Sequence, residues 1–253
     1  MRAKENLARR FLFEFAVVVA GVLVALAVNA WYQDRQDDRK KADYIALLSR
    51  DLERTLTELE GYVAFESRQL EDAALARRAV ATLPVTTDTD VISGAMARLL
   101  TRKTLVLRNS AYEDLVSTGN LGLIDDAALR DRIVDFYQVT QQEYDIINRN
   151  NAYFVDQAYN SNVLMSGLIQ YRLDSNHPSI KEIGAATAKR LGPDFSVSRD
   201  RLWSLPADAT EWDMVRSTLL ARMLVSETGF RRGTERLAAA RDLKAAVDAA
   251  LPD

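Results

Sequence analysis

Glu14 is an acid set inside an apolar run, Phe11 to Trp31 (FLFEFAVVVAGVLVALAVNAW), in which the only other strongly polar side chain is Asn29. A carboxyl group in hydrocarbon is costly unless it is neutral or paired. An acid there is therefore a candidate for proton or ion passage, or for pairing with a partner helix. A second reading stays open, because Glu14 lies close to the boundary of the run. Arg10 stands four residues before it, so the two face each other on a helix and can meet at the interface. Asn29, at the other boundary, is either a hydrogen bonder between helices or an interface residue.

A second unusual region runs from Gln138 to Asn162 and is rich in amides and tyrosines. Thr140, Tyr144, Asn148 and Asn151 form a candidate polar layer, with Thr140, Tyr144 and Asn151 on the inward stripe of a helix. Buried amides need partners, so such a layer either locks helix register or lines a small polar pocket.

Other chemistry has little to build on. The sole histidine, His177, falls in a Pro-containing polar loop, Asp174 to Pro178, and cysteine is absent. Disulfides, thiolate metal sites and cysteine nucleophiles are thereby excluded, and a zinc site would need mostly carboxylates. The acidic clusters Asp125-Asp126 and Asp34-Asp37-Asp38 have neither an EF-hand's ligand order nor its glycine. Glycine-rich phosphate loops and a nucleophile elbow are missing. No cofactor, no metal and no enzymatic activity are expected. The net charge of −3, with basic residues interspersed among acids, gives no nucleic-acid footprint.

The elements that would position these residues read as helices throughout. At 1.5 Å per residue the Phe11–Trp31 run covers about 31 Å, close to a hydrocarbon thickness. Trp31 and Tyr32 sit where an interfacial aromatic belt belongs. Arg9-Arg10 with Val28-Asn29-Ala30 also fits a cleaved signal peptide, but the apolar core is longer than a signal peptide's. An uncleaved membrane anchor is expected. Arg9 and Arg10 abut the run, whereas the cations after it are mixed with acids. Residues 1–10 are thus placed in the cytoplasm and residues 32–253 outside it.

Past the anchor, Ile45, Leu48, Leu52, Leu56, Leu59 and Val63 repeat at three and four, one face of a helix expected from near Gln33 to about Thr82. A short helix near 91–101 follows, and then an apolar link at Leu105–Leu107 that is helical or extended. Ser110 with Glu113 has capping-box spacing and opens a helix ending near Gly119. Asp125 or Asp126 caps a long helix with the inward stripe Leu129, Ile133, Phe136, Thr140, Tyr144, Ile147, Asn151, Phe154, Ala158, Met165 and Ile169. A helix over Ser179–Leu191 precedes Gly192-Pro193. Asp208 with Glu211 opens a last helix carrying Trp212, Val215, Leu219, Met223, Phe230, Leu237, Val247 and Leu251. The expected fold is all-α, an N-terminal transmembrane helix followed by an elongated antiparallel helical bundle.

Two segments resemble a family of uncharacterised bacterial single-span membrane proteins. Glu14, Gly21, Asn29 and Trp31 match its anchor pattern. Ser110, Tyr112, Leu115, Ser117, Gly119, Leu121, Leu123 and Ile124 match its S-x-Y-x-x-L-x-S-x-G-x-L-x-L-I motif. The resemblance covers roughly the first 140 residues. It implies a bacterial single-span membrane protein and transfers no activity; together with the charge asymmetry around the anchor, the expected location is the bacterial inner membrane with residues 32–253 in the periplasm. The motif residues read as a packed corner, with Gly119 at a helix end requiring positive φ and Leu121 and Ile124 tucked inward; a binding surface is the alternative.

Three functions follow as expectations. The first is a non-enzymatic scaffold or accessory subunit whose partners are the lipid bilayer and a second copy or another membrane protein. The second is a periplasmic ligand-sensing domain using the polar layer. The third is an oligomeric ion- or proton-conducting assembly using Glu14.

Overall fold

The structure is a computed structural model that describes residues 2–170 and 200–251, with Ala186, Lys189 and Arg190 between them; of residues 2–14 and of Ala16 it describes the backbone alone. The expected helix over Ser179–Leu191, the Gly192-Pro193 stop and the His177 loop lie outside the described residues. The described residues are helical with no strands. They form α1 (Arg2–Ala79), α2 (Thr89–Arg98), α3 (Ser110–Ser117), α4 (Ala127–Asn150) and α5 (Glu211–Ala249). Short 3-10 turns occupy Asn120–Leu123 and Arg201–Ser204, and a π-helix covers Asn151–Met165.

α1 is long because nothing in it breaks a helix: proline is absent until Pro84. It ends at Ala79, a few residues short of the expected Thr82, with Arg77 and Arg78 in its last turn. It is the one described helix that is long and apolar enough to cross a membrane, and its apolar window lies near the N-terminus with no part buried.

The chain divides into two compact units. One comprises Met1–Asp51, Asn109–Ile133 and Lys244–Asp253; the other comprises Leu52–Arg108 and Val134–Leu243. In the first, Ile45, Leu48, Ala111, Leu115, Ile124, Leu129 and Val247 are buried. Asp51 of α1 accepts hydrogen bonds from Ser110 Oγ and from the backbone N–H of Ala111, both at 3.0 Å. The N-terminus of α3 is thus capped from α1, not by Ser110 itself. Asn109 holds the cap position without a capping side-chain bond, and its amide donates to Glu113 at 2.7 Å. A capping box needs its Ser to precede the helix, and Ser110 is already inside it. Asp126 caps α4 through the N–H groups of Ala128 and Leu129. Asp125 instead pairs with Lys41 at 2.5 Å, and that hydrogen bond holds its carboxyl below the usual carboxylate range.

The second unit has a core of Ala73, Ala76, Val80, Ile92, Met96, Leu99, Tyr159, Val163, Trp212, Val215 and Leu219. Trp203 donates its indole N–H to Ser93 Oγ at 2.7 Å, and Trp212 donates to the Pro206 carbonyl at 2.9 Å. Both large aromatics therefore bury their rings without stranding a donor.

Three stripes depart from the expected phase. On α1, Thr55 and Tyr62 are buried where Leu56 and Val63 were expected, and both leucine and valine are half-buried. On the last helix, Met223 and Phe230 are half-buried and Leu251 is exposed. The stripe of α4 holds through Asn151 and then shifts. Val155, Tyr159 and Val163 are buried, Phe154 and Ala158 are half-buried, and Met165 is 80% exposed. The cause is the π-helix. Its i→i+5 hydrogen bonds widen each turn, so the inward face recurs every four residues where a 3.6 period was expected. The last helix also begins at Glu211, leaving Asp208 three positions ahead of it and not at its cap.

Candidate functional site

Among the described residues, the chemically densest place is the interior of the second unit. There α1 contributes Tyr62, Glu66 and Gln69, and α5 contributes Arg222 and Ser226. All are buried, Arg222 with no exposed surface and Glu66 with 1%. The side chains lie along one face of each helix, spaced by three and four, so the backbone period alone brings them together.

Arg222 is held by four acceptors. Nε donates to the Leu99 carbonyl at 3.2 Å, Nη1 to Ser226 Oγ at 2.6 Å, and Nη2 to Gln69 Oε1 at 2.8 Å and the Thr101 carbonyl at 3.2 Å. Leu99 is the C-cap of α2, so the guanidinium sits at the negative end of that helix and fills carbonyls the helix leaves open. Glu66 Oε2 lies 3.9 Å from Nη1. Neither Glu66 oxygen has a hydrogen-bond partner of good geometry. Burial pushes the Glu66 carboxyl up from its ordinary value; Arg222, Ser226 and Tyr62 pull it the other way without cancelling the shift. Burial likewise raises the Tyr62 phenol, beside Glu66, and lowers Arg222, against the attraction of Glu66.

A pH prediction follows with a definite sign. Because the Glu66 carboxyl is raised in the folded state, its contribution is complete below the unfolded value, about 4.3. It is lost as pH rises through the raised folded value. Glu66→Gln should therefore gain in melting temperature relative to the wild type as pH rises from about 4 to about 8. Melting curves of the full-length protein in detergent read this directly. Parallel profiles for the two proteins would show that Glu66 is not so placed.

The expected polar layer is only partly a layer. Thr140, Tyr144 and Asn151 are buried, and Asn148 is half-buried. Asn148 pairs with the backbone of Leu105 in both directions: its Oδ1 accepts from the N–H at 3.3 Å, and its amide donates to the carbonyl at 3.1 Å. The Asn151 amide donates to the Lys103 carbonyl at 3.5 Å. These amides supply partners to the irregular link around Leu105, which lies in no helix. Tyr159 donates to the Met96 carbonyl at 3.0 Å. Thr140 Oγ1 and the Tyr144 hydroxyl are buried without hydrogen-bond partners.

The motif residues of the first unit occupy a corner. Gly119 takes φ +72°, the left-handed conformation that a side chain resists, and Ile124 is buried. Leu121 and Tyr112 are half-buried, Ser117 is exposed, and Ser110 is tied to Asp51 as above. Tyr44 locks the corner from α1, donating to Asp114 at 2.7 Å and accepting from Asn120 at 3.1 Å. Asn29 is exposed on the apolar segment of α1, and the Glu14 side chain lies outside the described residues.

Arg222, Glu66, Ser226 and Tyr62 were missed by a reading that followed apolar side chains. A signal was nevertheless present. Arg222 and Ser226 continue the spacing from Val215 and Leu219 toward Leu237, so their phase marks them as buried although their type does not.

Comparison with known proteins adds one match. The model of a family of unknown function, DUF6090, matches residues 14–169, from the apolar segment through the π-helix. No curated protein and no solved structure matches the chain.

Proposed function

Since the chain belongs to the DUF6090 family, whose function is unknown, we propose its role from its own architecture: a membrane-anchored, non-enzymatic interaction or accessory subunit. One observation carries the reading. Along α1, Phe15, Val17, Val18, Val22, Leu23, Val24, Leu26, Val28 and Trp31 are all more than half exposed. An apolar surface this continuous needs a cover, and its length suits a bilayer. At its end Arg35 lies over the Trp31 ring, 5.2 Å from the centroid, a pairing suited to a headgroup boundary.

The buried polar groups of the second unit favour structure over chemistry. Arg222 spends four of its five N–H groups on neighbours, and Asn148 and Asn151 are occupied by the backbone they hold. This weakens the reading of the polar layer as a ligand pocket. The anchor is proposed to be uncleaved, with its N-terminus in the cytoplasm of a bacterial cell and the helical units in the periplasm. Partner contacts are assigned to those units.

Fractionation tests the anchor. The full-length chain should stay with membranes through alkaline carbonate washing, and a variant lacking residues 2–31 should be released in soluble, helical form. Retention of that variant, or release of the intact chain, would refute anchoring by this segment. Reporter fusions at either end report orientation, and a cytoplasmic C-terminus would reverse the proposed topology.

A further inference from the structure

Within the second unit, the end of α1 and the first half of α5 enclose a surface hollow of about 390 Å³ lined by Arg77, Arg78, Ala81, Arg216, Ser217 and Leu220. We propose that this hollow is the docking site for an acidic, leucine-bearing segment of a protein partner. The inference rests on the interaction reading above and names the chemistry of the partner.

Charge is the first support. The protein carries a net charge of −3, yet three arginines converge here. In the same unit Arg98, Arg102, Arg108 and Arg241 each hold an aspartate or glutamate. Arg77 and Arg78 are exposed and form no ion pair among the described residues. Their place in the last turn of α1 favours the helix dipole, which explains two cations but not a hollow beside them. Arg216 is fixed in place: Nε donates to the Val80 carbonyl at 3.0 Å and Nη1 to Asp213 at 3.0 Å. That bond ties α5 to the chain just past α1 and keeps one wall of the hollow rigid.

Shape and polarity supply the second support. Leu220 and Leu224, one turn apart on α5, are 38% and 55% exposed. An apolar strip beside a row of guanidinium groups fits a segment that alternates carboxylates with leucines. Guanidinium forks pair with carboxylates through two parallel hydrogen bonds, while the leucine side chain covers Leu220 and Ala81. Nucleic acid would leave that apolar strip unused.

The test uses the full-length protein in neutral detergent and a fluorescent peptide, Glu-Glu-Leu-Asp-Asp-Leu, followed by anisotropy. Binding should weaken as salt rises. It should fall roughly tenfold or more in the Arg77→Ala/Arg78→Ala variant, which loses two charge-assisted pairs, and should also weaken in Leu220→Ala. The isosteric peptide Gln-Gln-Leu-Asn-Asn-Leu should not bind. Equal affinity of the wild type and the double variant for the acidic peptide overturns the proposal. So does displacement of the peptide by soluble short-chain phosphatidylglycerol in the wild type with no leucine dependence, which would assign the hollow to a lipid headgroup. Unchanged far-ultraviolet circular dichroism of the variants establishes that they fold. If a cross-linked partner is retained equally by wild type and double variant, the docking site is wrong and the interaction reading stands. If no partner is held even by wild type that binds the peptide, the interaction reading is what fails.

Discussion

Arg222→Ala should lower the stability of the protein by about 3–5 kcal/mol, the cost of leaving a buried charge and its hydrogen-bonding neighbours uncompensated. Two separate losses add to that figure. Glu66 loses the cation 3.9 Å from it, the one paired with it among the described residues, and its oxygens have no hydrogen-bond partner of good geometry. The buried carbonyl of Leu99 at the end of α2, with Gln69 and Ser226, loses its donor, as does the half-buried Thr101 carbonyl just beyond it. Companion variants separate the two. Glu66→Gln in the Arg222→Ala background removes the stranded charge and should restore part of the loss. The α2 carbonyls stay orphaned, so recovery should remain incomplete. Arg222→Lys keeps a positive charge beside Glu66, but an ammonium on a single stem cannot reach acceptors on two sides as the guanidinium does; it should fall between wild type and alanine. Thermal unfolding of the full-length chain in detergent gives the ranking. Amide exchange over residues 95–101 should accelerate in all the Arg222 variants. A melting temperature for Arg222→Ala within a degree or so of wild type would mean that the guanidinium is not structurally engaged.

The same residue shows how far the amino-acid sequence can be read. Helix class, the uninterrupted α1 and the α4 stripe as far as Asn151 are legible because local periodicity carries them. The corner at Gly119 is legible because only glycine adopts φ +72° there without strain. Three kinds of information are not local. The cap of α3 comes from Asp51, 59 residues before Ser110, and no window around Ser110 contains it. The π-helix is a backbone choice with no residue signature; once it begins, a stripe projected at 3.6 residues per turn points Met165 inward when it faces out. Arg222, Ser226, Gly229 and Gly233 lie on the buried face of α5, but their types are those of a surface or a breaker. Reading burial from hydrophobicity skips them, and they are the center of the polar interior.

Those two glycines set the last expectation. A Cβ at Gly229 would stand 2.5 Å from the Tyr62 hydroxyl and 3.2 Å from Glu66 Cγ, and one at Gly233 would stand 2.9 Å from Tyr62 Cδ1 and 3.1 Å from Val63 Cγ2. Alanine gains about 1 kcal/mol over glycine in a helix interior, so on propensity alone both substitutions would stabilise. Overpacking a filled core costs about 1–3 kcal/mol, and Tyr62 is 1% exposed with nowhere to move. Packing wins: Gly229→Ala and Gly233→Ala should each lower the melting temperature. Gly61→Ala is the control. Its Cβ would meet only Lys103 Nζ, at 2.6 Å. That is the free end of a flexible side chain, so the helix gain should survive and the melting temperature should rise. The two core glycines then differ in which Tyr62 atom opposes them. Tyr62→Phe deletes the hydroxyl and should rescue most of the Gly229→Ala defect. It leaves the ring carbon in place and should do nothing for Gly233→Ala. Equal rescue of both would mean that α1 and α5 separate as a whole when either glycine is filled, and that Tyr62 is not the side chain keeping those positions free of a Cβ.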